Sequence, residues 1–81
     1  MGSEPLTLYY RHGCSLCDEM LQGVRTLQQE LGFSFHIMDV DADPALEGRY
    51  GEWVPVLCAG EQELCHYFLD QAAVRRYFAA P

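Results

Sequence analysis

Two cysteines separated by two residues, in "RHGCSLCDEM" at residues 11–20, are the part of the chain best equipped for chemistry. Such a pair can carry a reversible disulfide, supply part of a metal site, or fill space as two small apolar residues. What positions Cys14 and Cys17 decides among these readings. "LTLYY" at residues 6–10 is a short apolar and aromatic run bounded by Pro5 and Gly13, which predicts a buried strand at the centre of a sheet. From Leu16 onward, Leu16, Met20, Leu21, Val24, Leu27 and Leu31 recur at three- to five-residue spacing against Asp18, Glu19, Arg25, Gln28 and Gln29. That pattern predicts an amphipathic helix closed by a left-handed cap at Gly32. The cysteines therefore fall between the first strand and the first helix.

A thiol at the helix start lies where unpaired backbone N–H groups and the positive end of the helix dipole converge, and both favour thiolate. Cys17, three residues on, lies in the first turn on the same side, close enough to bond with Cys14. Lowering a thiol's pKa from about 8.5 to about 7 raises the ionised fraction at pH 7 roughly sixteen-fold. The accompanying loss of nucleophilicity, roughly six-fold for a Brønsted slope of about 0.5, leaves a net gain of only about three-fold. The larger consequences are a better leaving group at Cys14 and a stabilised dithiol, which together set the reduction potential.

With 81 residues, 49% of them hydrophobic, the chain is expected to be one domain, 1–81, with a single core. Five Lys plus Arg against twelve Asp plus Glu give a formal charge of −7, which repels phosphate backbones and anionic membrane surfaces, so no nucleic-acid or membrane partner is expected. "MGSEPL" lacks the basic region and apolar core of a secretory signal, and Leu6 stands where a myristoylation signal needs Ser or Thr. The expected compartment is the cytoplasm, where structural disulfides are rare and close cysteines are more often catalytic or metal-binding.

"FSFHIMDV" alternates Phe33, Phe35 and Ile37 against Ser34, His36 and Met38, predicting a second strand parallel to the first. Asp43-Pro44 predicts a capped short helix to about Arg49. "DVDAD" is not read as a calcium loop, because Pro44 replaces the required Gly and Tyr50 the required Glu. "VPVLCA" and "ELCHYF" around "GEQ" predict an antiparallel hairpin with Gly60-Glu61 as its turn, Val56 opposite Cys65 and Cys58 opposite Glu63. This register puts Cys58 and Cys65 on one face but diagonally offset, too far apart for an unstrained disulfide, so both are expected to be core or semi-buried thiols. Asp70 is expected to cap a last helix, "QAAVRRYFAA". No catalytic role is expected for His12, and a metal site adding Cys65 and His66 to the dithiol needs the far strand to reach the helix start. Trp53 and Tyr50 either line the approach to the proline loop or pack it.

"CSLC" after the first strand, "WVP" before the third, and the order β-α-β-α-β-β-α resemble the glutaredoxin branch of the thioredoxin superfamily. More closely, "YYRHGCSLCDEM", "RYGEWVPVL" and "FLDQAAVRRYF" resemble small glutaredoxin-like bacterial proteins over essentially the whole chain. The resemblance implies an α/β, thioredoxin-like (glutaredoxin-type) fold with a four-stranded mixed sheet flanked by helices. It implies Cys14 as attacking and Cys17 as resolving thiol, and a cis Val54–Pro55 bond beside Cys14, with the Val54 backbone pairing to an extended disulfide substrate. The basic group that would face the carboxylates of glutathione is Arg11, with Arg49 the weaker candidate, the alternative for either being a solvated surface charge. Two departures stand out: Ser15-Leu16 replaces the usual Pro-Tyr between the cysteines, and "HYFLD" replaces the Gly-Gly turn and acidic pair that hold glutathione's glutamyl end.

The expected function is thiol–disulfide oxidoreduction on protein or low-molecular-weight disulfides by a monomer with no bound metal or other cofactor. Glutathione or a thioredoxin-reductase system would supply electrons. The alternative is a non-enzymatic binding module holding a metal, an iron–sulfur cluster or a protein partner; two well-placed ligands fall short of the three or four that a stable metal site needs.

Overall fold

The computed structural model describes residues 5–79. Ala80, expected to end the last helix, and the first four residues of "MGSEPL" lie outside the described residues. The elements are β1 (Leu6–Tyr10), α1 (Ser15–Leu31), β2 (Phe35–Asp39), a 3-10 turn (Val40–Ala42), α2 (Pro44–Tyr50), β3 (Val56–Ala59), β4 (Gln62–His66) and α3 (Gln71–Ala79). The order is the expected one, and the four strands form one mixed sheet in the order β2-β1-β3-β4.

β1 is central, parallel to β2 and antiparallel to β3. Its alternate residues Leu6 and Leu8 are fully buried, and with Leu57 and Cys65 they meet Met20, Val24 and Leu27 of α1 and Val74 of α3. On the opposite face Tyr9 stacks on Tyr50, at the end of α2, with ring centroids 3.9 Å apart. α1 closes at Gly32 with φ 78°, the left-handed cap that its sequence position predicts. Asp43 accepts the Ala45 N–H at 2.9 Å and Asp39 accepts the Asp41 N–H at 2.9 Å, so the acidic run serves backbone capping.

β2 departs from the alternation of its sequence. Ile37 is 39% exposed and Met38 41%, because β2 is an edge strand and neither of its faces is fully covered. The β3–β4 hairpin also departs from the expected register. The turn is Gly60-Glu61 and Cys58 faces Glu63, but Val56 faces His66 and Leu57 faces Cys65, with Leu64 as the extra residue of a bulge. One extra residue reverses every later side chain, so Cys65 packs into the α1/α3 core while Cys58 lies on the α2 side. Both are buried and free.

Candidate active site

Cys14 is the N-cap of α1, with extended backbone (φ −107°, ψ 111°), reached through Gly13 at φ 76°. Glycine suits that left-handed turn at little cost, and the turn lets the chain leave β1 and enter the helix at once. The Cys14 Sγ accepts the backbone N–H of Cys17 at 3.2 Å, which satisfies one of the donors that every helix start leaves open. Cys14 is partly accessible, whereas Cys17 is fully buried. Burial pushes the Cys17 thiol up to about 12, helped by its hydrogen bond to Cys14, with the Arg11 backbone acting in the opposite direction. The pair therefore presents one reachable sulfur and one buried sulfur that holds its proton.

The Val54–Pro55 bond is cis, and β3 begins only at Val56, after it. Outside the helices and strands, no backbone hydrogen bond among the described residues uses Val54. The loop is held from the other side by Tyr67, whose N–H donates to the Pro55 carbonyl at 2.9 Å and whose hydroxyl donates to the Glu52 carbonyl at 2.9 Å.

Arg11 is not left free to face a ligand. Its Nε donates to Asp41 at 3.0 Å, one terminal nitrogen reaches both Asp41 at 3.1 Å and Glu47 at 2.8 Å, and the other reaches the Gly51 carbonyl at 3.4 Å. The two carboxylates hold the guanidinium even more firmly protonated than usual. One positive charge between two negative ones leaves a net negative cluster, which repels a carboxylate ligand. Arg49 lies over the Tyr50 ring, 5.3 Å from its centroid.

The aromatic residues divide. Tyr50 packs on Tyr9, and burial followed by its bond to Tyr9 pushes its hydroxyl up to about 12. Trp53 is 49% exposed and meets the edge of His66 at 5.5 Å. His66 binds Glu63 at 2.7 Å while its neighbour Cys65 turns into the core, so those two do not converge on the dithiol. Among the described residues no group of three or more His, Cys, Asp or Glu side chains could hold a metal ion. His12 is exposed, 3.1 Å from the Tyr10 hydroxyl through Nε2.

Beside the first turn of α1 lies a small notch of about 140 Å³ between Leu16, Glu19 and Met20 on one side and Tyr67, Phe68 and Leu69 on the other. The sequence places Leu16 on the apolar side of the first helix and Tyr67 and Phe68 at the end of the returning strand, and otherwise marks them as departures from the glutaredoxin pattern. The apolar residue inside the CxxC spacing and the bulky pair after β4 were the signals that could have announced the notch.

Residues 5–79 match the glutaredoxin-like domain (DUF836). A solved protein of Nitrosomonas europaea is 39% identical, with a TM-score of 0.81 and coverage of 93% of this chain and 91% of that one. A protein of X. campestris is 41% identical, with a TM-score of 0.68, covering 94% of this chain and 99% of its own. Thioredoxin 1 of Thermosipho africanus, 18% identical with a TM-score of 0.64 over 93% of this chain and 94% of that one, shares the fold. No curated protein matches the chain. Among the described residues no helix is long and apolar enough to cross a membrane. With its thioredoxin-type sheet, a dithiol opening α1, and a family match running from β1 to α3, the chain belongs to the glutaredoxin-like domain family.

Proposed function

We propose that the protein is a cytoplasmic thiol–disulfide oxidoreductase, with Cys14 as nucleophile and Cys17 as resolving thiol. The observation that carries this reading is the Cys14 sulfur at the N-cap of α1, accepting the Cys17 N–H at 3.2 Å while the Cys17 thiol is buried behind it. The Cys14 thiolate attacks one sulfur of a substrate disulfide; a mixed disulfide forms and one substrate thiolate leaves. Cys17 gives up its proton, to solvent or to the departing thiolate, and attacks the Cys14 sulfur. The protein disulfide forms and the second substrate thiolate leaves. Two electrons pass from the protein to the substrate, and an external dithiol or two molecules of glutathione return them. The Cys17 thiol, pushed up to about 12, stays protonated until this step, so the resting pair holds one nucleophile rather than two repelling thiolates.

The Val54 backbone is the proposed pairing edge for an extended substrate. Arg11, engaged by Asp41 and Glu47, and the bulky Tyr67 and Phe68 favour a polypeptide disulfide over glutathione as substrate. A thioredoxin-reductase-type dithiol then becomes the better fitting electron donor.

Titration in glutathione redox buffers, read by mass, tests the proposal together with the variant Cys17→Ser. A reversible two-electron transition between about −200 and −270 mV, and a mixed disulfide trapped on Cys14 in the variant, are expected. No Cys14–Cys17 disulfide in the native protein, or no trapped adduct with any disulfide, overturns the enzyme reading in favour of a binding role.

A further inference from the structure

The notch beside the dithiol has a shape, a wall and a charge that select a substrate. Its volume of about 140 Å³ is well below the roughly 300 Å³ at which small-molecule pockets begin, so it suits one side chain rather than a whole tripeptide. Leu16, between the two cysteines, forms one wall, and Phe68, 68% exposed, stands at the rim. Leu16 lies between Cys14 and Cys17 in the first turn of α1, so the notch opens on the helix turn that carries the dithiol.

Phe68 is held in place by an unusual turn. Tyr67 has φ 64°, and the Phe68 N–H donates across it to the His66 carbonyl at 2.7 Å, closing a three-residue γ-turn of the rare left-handed kind. A non-glycine residue persists there only when its surroundings over-determine it. Here the Tyr67 N–H and hydroxyl are fixed at 2.9 Å to the carbonyls of Pro55 and Glu52. On the far side Leu69 packs so closely on α1 that a Cβ at Gly23 would stand 2.5 Å from its Cδ2. The turn thus spans the proline loop and the dithiol helix, and the rim between them is built before any ligand arrives.

The charged side chain that lines it is acidic. Glu19 lines the notch and Asp18 precedes it, while the basic residue nearest in sequence to the dithiol, Arg11, is engaged by Asp41 and Glu47. The chain carries −7 overall, so a second copy of itself is repelled, as is the net anionic glutathione. A cationic polypeptide is attracted.

Resting on the oxidoreductase reading, we infer that the notch formed by Leu16, Met20, Tyr67, Phe68 and Leu69 receives a bulky apolar side chain flanking the disulfide of a polypeptide substrate, and that Glu19 and Asp18 favour a neighbouring Lys or Arg. The test compares kcat/KM for five probes: disulfide-linked peptides with Leu and Arg beside the cysteine, with Ser and Arg, and with Leu and Glu, a glutathionylated peptide, and small neutral bis(2-hydroxyethyl) disulfide. The Leu/Arg peptide is expected to lead each of the other peptides by about ten-fold, the scale of one buried interface anchor. Its lead over the Leu/Glu peptide should shrink with added salt and with Glu19→Lys, and its lead over the Ser/Arg peptide should shrink with Phe68→Ala. Equal rates on the three peptides, with the small disulfide still reduced, overturn the inference and leave the oxidoreductase reading intact. Faster turnover of glutathionylated peptide than of the Leu/Arg peptide also overturns it. If no probe is reduced, the oxidoreductase reading fails and the inference with it.

Discussion

The backbone N–H of Cys17 donates to the sulfur of Cys14 at 3.2 Å, so Cys17 supports the Cys14 sulfur through its main chain while its own thiol is buried. The two roles in the proposed reaction need opposite environments. A nucleophile must be reachable and stabilised as an anion, whereas a resolving thiol must stay neutral until the mixed disulfide exists. One helical turn gives the two thiols different settings, because the N-cap is partly accessible and the third helical position is buried.

Alkylation of the native reduced protein should therefore be selective. Cys14 is partly accessible, and Cys17, Cys58 and Cys65 are buried with thiols pushed upward, chiefly by burial. Iodoacetamide at pH 7 to 8 should add one label per chain, mapped to Cys14 by mass. Labelling of Cys58 or Cys65 at a comparable rate would show that the hairpin opens far more readily than its packing implies.

The same burial makes the reduced protein sensitive to alkali. In the unfolded chain the Cys17 thiol ionises near its ordinary value of about 8.5; in the folded protein it holds its proton up to about 12. Above about pH 8.5 the folded state thus binds more protons than the unfolded one, and its stability falls as pH rises toward 12. Below that window the contribution is fully present. Urea midpoints taken from pH 7 to pH 10.5 should fall more steeply for the reduced native chain than for Cys17→Ala, which has no thiol at that position to ionise. Parallel slopes would remove Cys17 as the cause.

Arg11→Gln separates a structural role from a ligand-binding one. The substitution leaves Asp41 and Glu47 beside each other without the cation between them. The melting temperature should drop, and added salt should recover part of the loss by screening the two carboxylates. The KM for an anionic disulfide should not rise. A higher KM in a variant that melts normally would return Arg11 to the substrate site.

What the sequence made legible was local. Cys14, Gly32 and Asp43-Pro44 act within a few residues of themselves, so helix starts and stops could be read from residue type and spacing. Arg11 could not be placed in this way, because its partners lie 30 and 36 residues away, and only the fold brings them to it. The hairpin turn was legible from Gly60, but the bulge at Leu64 was not, since no turn residue marks it, and it alone moved Cys65 to the opposite face. Ile37 shows a third limit: its alternation is that of a half-buried strand, and nothing within the strand reveals that it lies at the sheet edge.

Gly23 is the residue whose purpose only packing explains. It lies inside α1, where glycine is the poorest helix former apart from proline, and replacing an interior glycine by alanine ordinarily stabilises a helix by about 0.5–1 kcal/mol. Gly48 in α2 provides the reference, since a Cβ there meets nothing within 4 Å. Gly48→Ala should therefore show the ordinary gain. At Gly23 the new methyl would stand 2.5 Å from Leu69 Cδ2, so the end of the Leu69 side chain must turn within its packing against the core. Overpacking at a side-chain end sits at the low end of the usual range, about 1 kcal/mol, which offsets the gain in helix propensity. Urea midpoints of the two variants, measured side by side, should rise for Gly48→Ala and stay level or fall for Gly23→Ala. Equal gains would mean that Leu69 yields freely, and that the wall of the notch is softer than its contacts with α1 imply.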